Sequence, residues 1–445
     1  MNSSSVDNRG IPPLAGVCSY EAAARPGLPV DESVARLKRC NYVLRRLNEI
    51  AAAHLPATPE WEVKCALSLH IWLDAEHSSA IRKRVAEMRE PPLHLDKVPD
   101  ERLEQAFEEL IRAGGTRELV SGICEARSAL IAAIQNHLEA LNPLFDHPTY
   151  RLLRTILREQ EEILEWGQAA AKELGKTGAT SVEQFRAHIR AYLAAAGGVS
   201  GRDEIPTTEL PSPRWDGSPY EMDAEPRRDD RFVDPFNTSA AIDEYSRDES
   251  LPSDERAWAL AYMRLREMDV PEWMAPILYK TRGKPWAYYA DLSRQLWDEA
   301  RHAMMGEVSL VSIGIPFHSY PIPMNTSALL NLECTPLEAH VILWRIEQSL
   351  MPGTTGKRYE RSVAELHGDD FITAIQDYDW ADEVLHVQIG RRWLPPRDEV
   401  DRIYEETTKR LTERSKLHAD RFRSTNSEWW PAFVERARAA PSASG

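Results

Sequence analysis

Cysteine is scarce in this chain of 445 residues. The five, Cys18, Cys40, Cys65, Cys124 and Cys334, are scattered, odd in number and never spaced CxxC. That excludes a disulfide framework and a thiolate metal site, and it suits free thiols in a reducing compartment. Long apolar runs are missing too. None could span a bilayer, and the opening MNSSSVDNRGIPPLAG has no apolar signal core, so a cytoplasmic protein with no membrane partner is expected. Basic residues are in deficit, 54 against 70 acidic, for a net charge of −16. Such a chain repels phosphate backbones, and nucleic acid is not an expected partner. There is no glycine-rich phosphate loop and no Ser-His-Asp ordering. No window offers a set of alternating strands, so the chain reads as all-α.

With 42% hydrophobic and 28% charged residues, the composition is that of a globular chain with room for two or three domains. Residues 30–196 carry apolar residues at spacings of three and four and read as a helical-bundle repeat. Residues 197–250 hold six prolines between Pro206 and Pro235 and no periodicity, which predicts a linker or an arm on the surface. Helical pattern returns over 251–423, and the tail 424–445 is expected to end without structure. LSLHIWLDAEH (Leu67–His77) aligns with LSRQLWDEARH (Leu292–His302), with Leu, Ser, Trp and His coinciding at an offset of 225. A duplicated bundle with a degenerate N-terminal copy follows from that match.

The chemistry concentrates in the second copy. An acid at i and His at i+3 share a helix face and can reach one ion. Three such pairs occur: Asp74/His77, Glu299/His302 and Glu383/His386. Chance alone would give about two, and a single pair serves equally well as a solvated surface pair. Context separates them. A di-metal carboxylate bundle needs a lone Glu from each of two helices and Glu-x-x-His from each of the other two. Glu267 precedes the turn TRGKP by about as many residues as Glu299 follows it, which sets the two at one height in an antiparallel pair. The estimate assumes a helix only kinked at Pro271, with Glu272 as the fallback. Ahead of Glu383, Glu338 stands three after Thr335 with Pro336 between, a capping box. Glu347 lies inside an apolar stretch with Leu343 and Trp344 and is the expected ligand. His340, two turns earlier, is expected to line the pocket or stand behind the ligands. Asp298 and Asp382 point off the ligand face of their own helices. Each is expected to hold the His of the partner helix by its second ring nitrogen, with Arg301 neutralising such a carboxylate.

The run DEARH resembles the D-E-x-R-H signature of ferritin-like di-iron carboxylate proteins, and DEVLH resembles their second motif. The longer DEVLHVQIGRRW resembles a little-characterised bacterial family of that superfamily. The resemblance covers about residues 250–400. It implies a four-helix bundle with a long crossover between the second and third helices, for which Val308–Ser327 is suited. It also implies ligands at Glu267, Glu299, His302, Glu347, Glu383 and His386. In the N-terminal copy Asp74-Ala-Glu-His77 is a shortened motif. Glu162 and Glu165 stand without a His where the second motif belongs, and nothing singles out Glu49 or Glu139, so a scaffold without metal is expected there. Trp297, Trp344 and Trp380 read as core packing, and His318 and His367 as ordinary loop residues.

Four carboxylates match two divalent ions at neutrality, and oxygen and imidazole ligands suit iron or manganese. The expected function is an O2-activating di-iron oxidase or oxygenase of a small organic substrate, by hydroxylation or N-oxygenation, with an electron donor as a further partner. A metal-storage or detoxification protein and a metal-free helical scaffold are the alternatives.

Overall fold

The computed structural model describes residues 8–89, 93–176, 179–237, 241–418, 421 and 429–439, and the protein is all-helical. The longer helices are α1 (Val30–His54), α2 (Trp61–Glu87), α3 (Glu101–Ile111), α4 (Thr116–Ala140), α5 (His147–Leu174), α6 (Ala179–Ala195), α7 (Ser253–Arg266), α8 (Asp269–Lys280), α9 (Trp286–Ser312), α10 (Asn325–Glu333), α11 (Pro336–Ser349), α12 (Lys357–His367), α13 (Asp370–Trp393), α14 (Arg397–Ser415) and α15 (Trp430–Ala439). No helix among the described residues is long and apolar enough to cross a membrane.

The chain divides into two compact units, Met1–Ile50 with Leu73–Tyr220, and Ala51–Trp72 with Glu221–Gly445. The sequence pattern places boundaries at 196/197 and 250/251. The end of α1 and the first half of α2 instead sit in the second unit, and so does the later part of the proline-rich stretch. Arg227 and Asp229 donate their backbone N–H to Pro56 O and Pro59 O, both at 3.1 Å. Phe232 packs on Trp61.

In the first unit α4 packs against α5 and α6. In the second, α7 and α8 run antiparallel to α9, and α13 packs against α9 and α11. α7 and α9 approach closely at Gly306, where a Cβ would lie 2.3 Å from Leu265 N. The helix expected to kink at Pro271 breaks earlier, at Glu267–Met268. The reason is local: a proline ring collides with the carbonyl four residues before it, here Glu267. Glu267 is therefore a junction residue between α7 and α8. The connection from α9 to α11 is shorter at its start than the sequence suggested, because Val308–Ser312 still belong to α9, and it contains α10. Asp269 caps α10 from a distance, accepting from Thr326 N and Ser327 N, both at 3.0 Å. The capping box at Thr335 and Glu338 is formed. His367 ends α12 and His318 lies in a 3-10 turn, not in loops. Within the expected unstructured tail, Trp430–Ala439 forms a helix whose Phe433 packs with Tyr262, and residues 440–445 lie outside the described residues.

Candidate metal centre

Each of the six expected ligand residues has a place at one spot in the second unit. Glu299 and His302 sit one turn apart on α9, and Glu383 and His386 one turn apart on α13. Glu347 lies near the end of α11, and Glu267 at the α7–α8 junction. They form two overlapping groups: Glu267, Glu299, His302 and Glu383, then Glu299, Glu347, Glu383 and His386. In each, the ligand atoms lie within 4.8 Å of one another. Glu299 and Glu383 belong to both. All but Glu267 are buried, at 2% exposure or less.

The two imidazoles are oriented alike. His302 Nδ1 lies 3.2 Å from Glu267 Oε2 and 3.8 Å from Glu299 Oε2, while its Nε2 is 3.1 Å from Asp382 Oδ2. His386 Nδ1 lies 3.3 Å from Glu299 Oε1 and 3.3 Å from Glu383 Oε2, while its Nε2 is 3.5 Å from Asp298 Oδ2. Each aspartate thus meets the histidine of the other motif, a crossed arrangement that fixes both ring orientations. Arg301 joins the two aspartates, at 2.6 Å from Asp298 and 2.5 Å from Asp382, and Arg294 adds a bond of 2.9 Å to Asp298. His340 stands 3.4 Å from the Tyr288 hydroxyl and belongs to neither group. The fallback Glu272 is also elsewhere, buried between Lys64 and Arg228.

Inward-facing ligand atoms meet one another without hydrogen-bonding. Glu267 Oε2 faces His302 Nδ1 at 3.2 Å and Glu383 Oε2 faces His386 Nδ1 at 3.3 Å; all four are buried and none makes a hydrogen bond. Buried polar atoms are nearly always paired, because an unpaired one costs about 1–3 kcal/mol. Four of them converging, all of metal-ligand type, fit a cation shared among them. Without one, protons fill the role. Burial opposes a charged imidazole at both sites, but Asp379 and Asp382 outweigh it at His302, and Asp298, Glu299 and Glu383 do so at His386. Both rings therefore protonate well above the usual histidine range. Burial, with Glu383 and Glu299 beside it, lifts Glu347 well above the carboxylate range. Burial also resists charge on Asp298, yet its bonds to His386 and Arg294 hold it down at about 2.

The sequence reading missed four residues that complete this region. Asp379 precedes Glu383 by one turn on the same face of α13, so helical spacing alone could have found it. Arg264 stands three before Glu267 and carries the same kind of signal, whereas Lys357 and Glu360 carry none. Lys357 opens α12 after Gly356, where a Cβ would lie 2.0 Å from Leu350 O, and its own backbone N–H donates to that carbonyl at 2.9 Å. Only a glycine lets the chain double back this tightly. The Lys357 ammonium then lies 2.9 Å from Asp379 Oδ1, 3.2 Å from Glu383 Oε1 and 3.4 Å from Glu267 Oε1. Arg264 pairs with Asp379, with Glu267 at 3.0 Å and with Glu360 at 3.3 Å.

The first unit shows the shortened motif without such a centre. Arg127 grips Asp74 with two hydrogen bonds, at 2.9 and 2.7 Å, and Gln160 bridges Asp74 and His77 at 2.9 and 3.1 Å. His77 also meets Glu159. A guanidinium stands where a metal would be needed. Glu162 is exposed and paired with Arg158. Among the described residues, no further cluster of metal-ligand type has this geometry.

Comparison of the chain with family models, with curated proteins and with solved structures finds no match.

Proposed function

We propose that the second unit is a ferritin-like bundle whose six residues hold two ions of iron or manganese, and that the protein uses O2 to oxidise a small organic substrate. The observation that carries this reading is the convergence of four buried ligand atoms that make no hydrogen bond, with both histidines backed by aspartates. Glu267 and His302 would serve one ion, Glu347 and His386 the other, with Glu299 and Glu383 between them. The bound metals would supply the electrons for O2 reduction.

The protein's own part is positional and electrostatic. Asp382 accepts from His302 Nε2 and Asp298 stands behind His386 Nε2, so that Nδ1 of each ring faces the glutamates. Arg294 helps to hold Asp298 ionised, and Arg301 pairs with both aspartates. Around the inner four glutamates, Asp298 and Asp382 pair with Arg294 and Arg301, while Arg264 and Lys357 are shared among Asp379, Glu360, Glu267 and Glu383. Among the described residues no lysine or arginine pairs with Glu299 or Glu347, whose charge the divalent ions would offset. An open surface groove lies along the next turn of α11 and α13, lined by Arg345, Gln348, Met351, Val387, Arg391 and Tyr404.

Elemental analysis of the full chain after anaerobic reconstitution with iron or manganese tests the reading. About two ions per chain are expected, and a value near zero leaves only a scaffold. Oxygen consumption without growth of a mineral core separates an oxidase or oxygenase from a storage protein.

A further inference from the structure

We infer that the two metal positions are unequal: the one built on Glu347 and His386 binds first and tightly, and the one built on Glu267 and His302 binds weakly and exchanges, because the Lys357 and Arg264 cations already lie against Glu267. The inference rests on the dinuclear reading above.

The asymmetry lies in which carboxylates meet fixed cations. Glu267 Oε1 lies 3.0 Å from the Arg264 guanidinium and 3.4 Å from the Lys357 ammonium. Both cations are essentially inaccessible, with side chains 2% and 1% exposed, so water screens them little. Glu347 is treated differently. Its polar neighbours are the neutral Gln295 amide, at 3.2 Å from Oε1, and the ligand side chains themselves, and among the described residues no lysine or arginine pairs with it. An ion held by Glu267 would share that carboxylate with two permanent positive charges, and one held by Glu347 would share with none. Lys357 also reaches Glu383, which belongs to both groups, so its charge is felt at each position but falls mainly on the first. Removing Lys357 acts twice in one direction. It deletes a repulsion, and it leaves Asp379 and Glu267 short of positive charge, which a metal ion would restore.

The test is an anaerobic titration of the metal-free full chain with Co2+, followed by visible absorption and calorimetry. Two steps are expected, the second weaker by about tenfold or more. Glu267→Gln should remove the weak step and keep the tight one, and Glu347→Gln should do the reverse. Lys357→Met should strengthen the weak step by about tenfold or more, while Lys357→Arg leaves it weak. If Lys357→Met does not fold, the two glutamate variants still decide which position is tight. Two equal steps in the unaltered protein, loss of the tight step in Glu267→Gln, or a folded Lys357→Met with an unchanged weak step would each overturn the inference. Absence of any Co2+ binding would instead overturn the dinuclear reading itself.

Discussion

On α11, Glu338 and Glu347 are nine residues apart and experience opposite environments. Glu338 accepts from Thr335 N at 2.8 Å and pairs with Arg410 at 2.9 Å, so it ties down a helix end. Glu347 is buried beside Glu383 and Glu299, where its charge is unwelcome without a cation. Glu338→Ala should lower stability by about 0.5–2 kcal/mol and leave metal content unchanged. Glu347→Ala should lose metal, and its metal-free form should be as stable as the parent or more so. Denaturant midpoints together with elemental analysis check both. Metal loss in the Glu338 variant alone would mean that the helix presents a different face to the centre.

Among the helices, one contact decides whether the centre closes. Gly306 on α9 faces the backbone of α7, where an added Cβ would meet Leu265 N, Leu265 Cα and Ala261 O at 2.3, 2.7 and 2.8 Å. Backbone cannot rotate aside as a side chain can, so Gly306→Ala must push the helices apart. A cost of about 2 kcal/mol or more is expected in thermal or denaturant unfolding. Because Glu267 follows Leu265 by two residues, weaker metal binding at its position should accompany that cost. The N-terminal motif gives the opposite expectation. Asp74→Ala with His77→Ala should leave the metal stoichiometry as it was. It should nevertheless destabilise the first unit by about 3–5 kcal/mol, because Arg127, 2% exposed, would be left buried without its carboxylate. Loss of half the bound metal in that double variant would place a second centre in the first unit.

For the molecule as a whole, each unit buries a neutral histidine. His137, hydrogen-bonded to Ser33 at 3.1 Å, is pushed down to about 4 by burial and by Arg36. His340 is pushed down to about 4 by burial and by Lys284. Their folded-state values lie below the 6.5 of an unfolded histidine, so the unfolded chain binds more protons between those values. The stability they contribute is present above pH 6.5 and is lost as pH falls towards 4, on the order of 3 kcal/mol for each ring. His302 and His386, raised above 6.5, keep their contribution below that pH and lose it at higher pH, so they do not act in the acid window. Denaturant midpoints should fall between pH 6.5 and 5, and less steeply in His137→Gln. A flat profile over that range would show that both rings already carry a proton in the folded state.

Much of this was legible in the sequence because it is local. Helical periodicity, the capping box at Thr335 and the i,i+3 placement of Glu299/His302 and Glu383/His386 depend only on residues within a turn or two of one another. Glu267 and Glu347 required only a turn position and an apolar stripe. What the tertiary structure decided is everything that needs one segment to meet another distant in the chain. It moved Ala51–Trp72 into the second unit, sent Glu272 to Lys64 and Arg228, and set His340 against Tyr288. It also put Arg127 into Asp74 and brought Lys357 against Glu267. Nothing near Lys357 in the sequence marks it, since its partners stand 90, 22 and 26 residues away along the chain. Spacing along one helix determines which side chains share a face; which charge they find opposite them is set only when the helices pack.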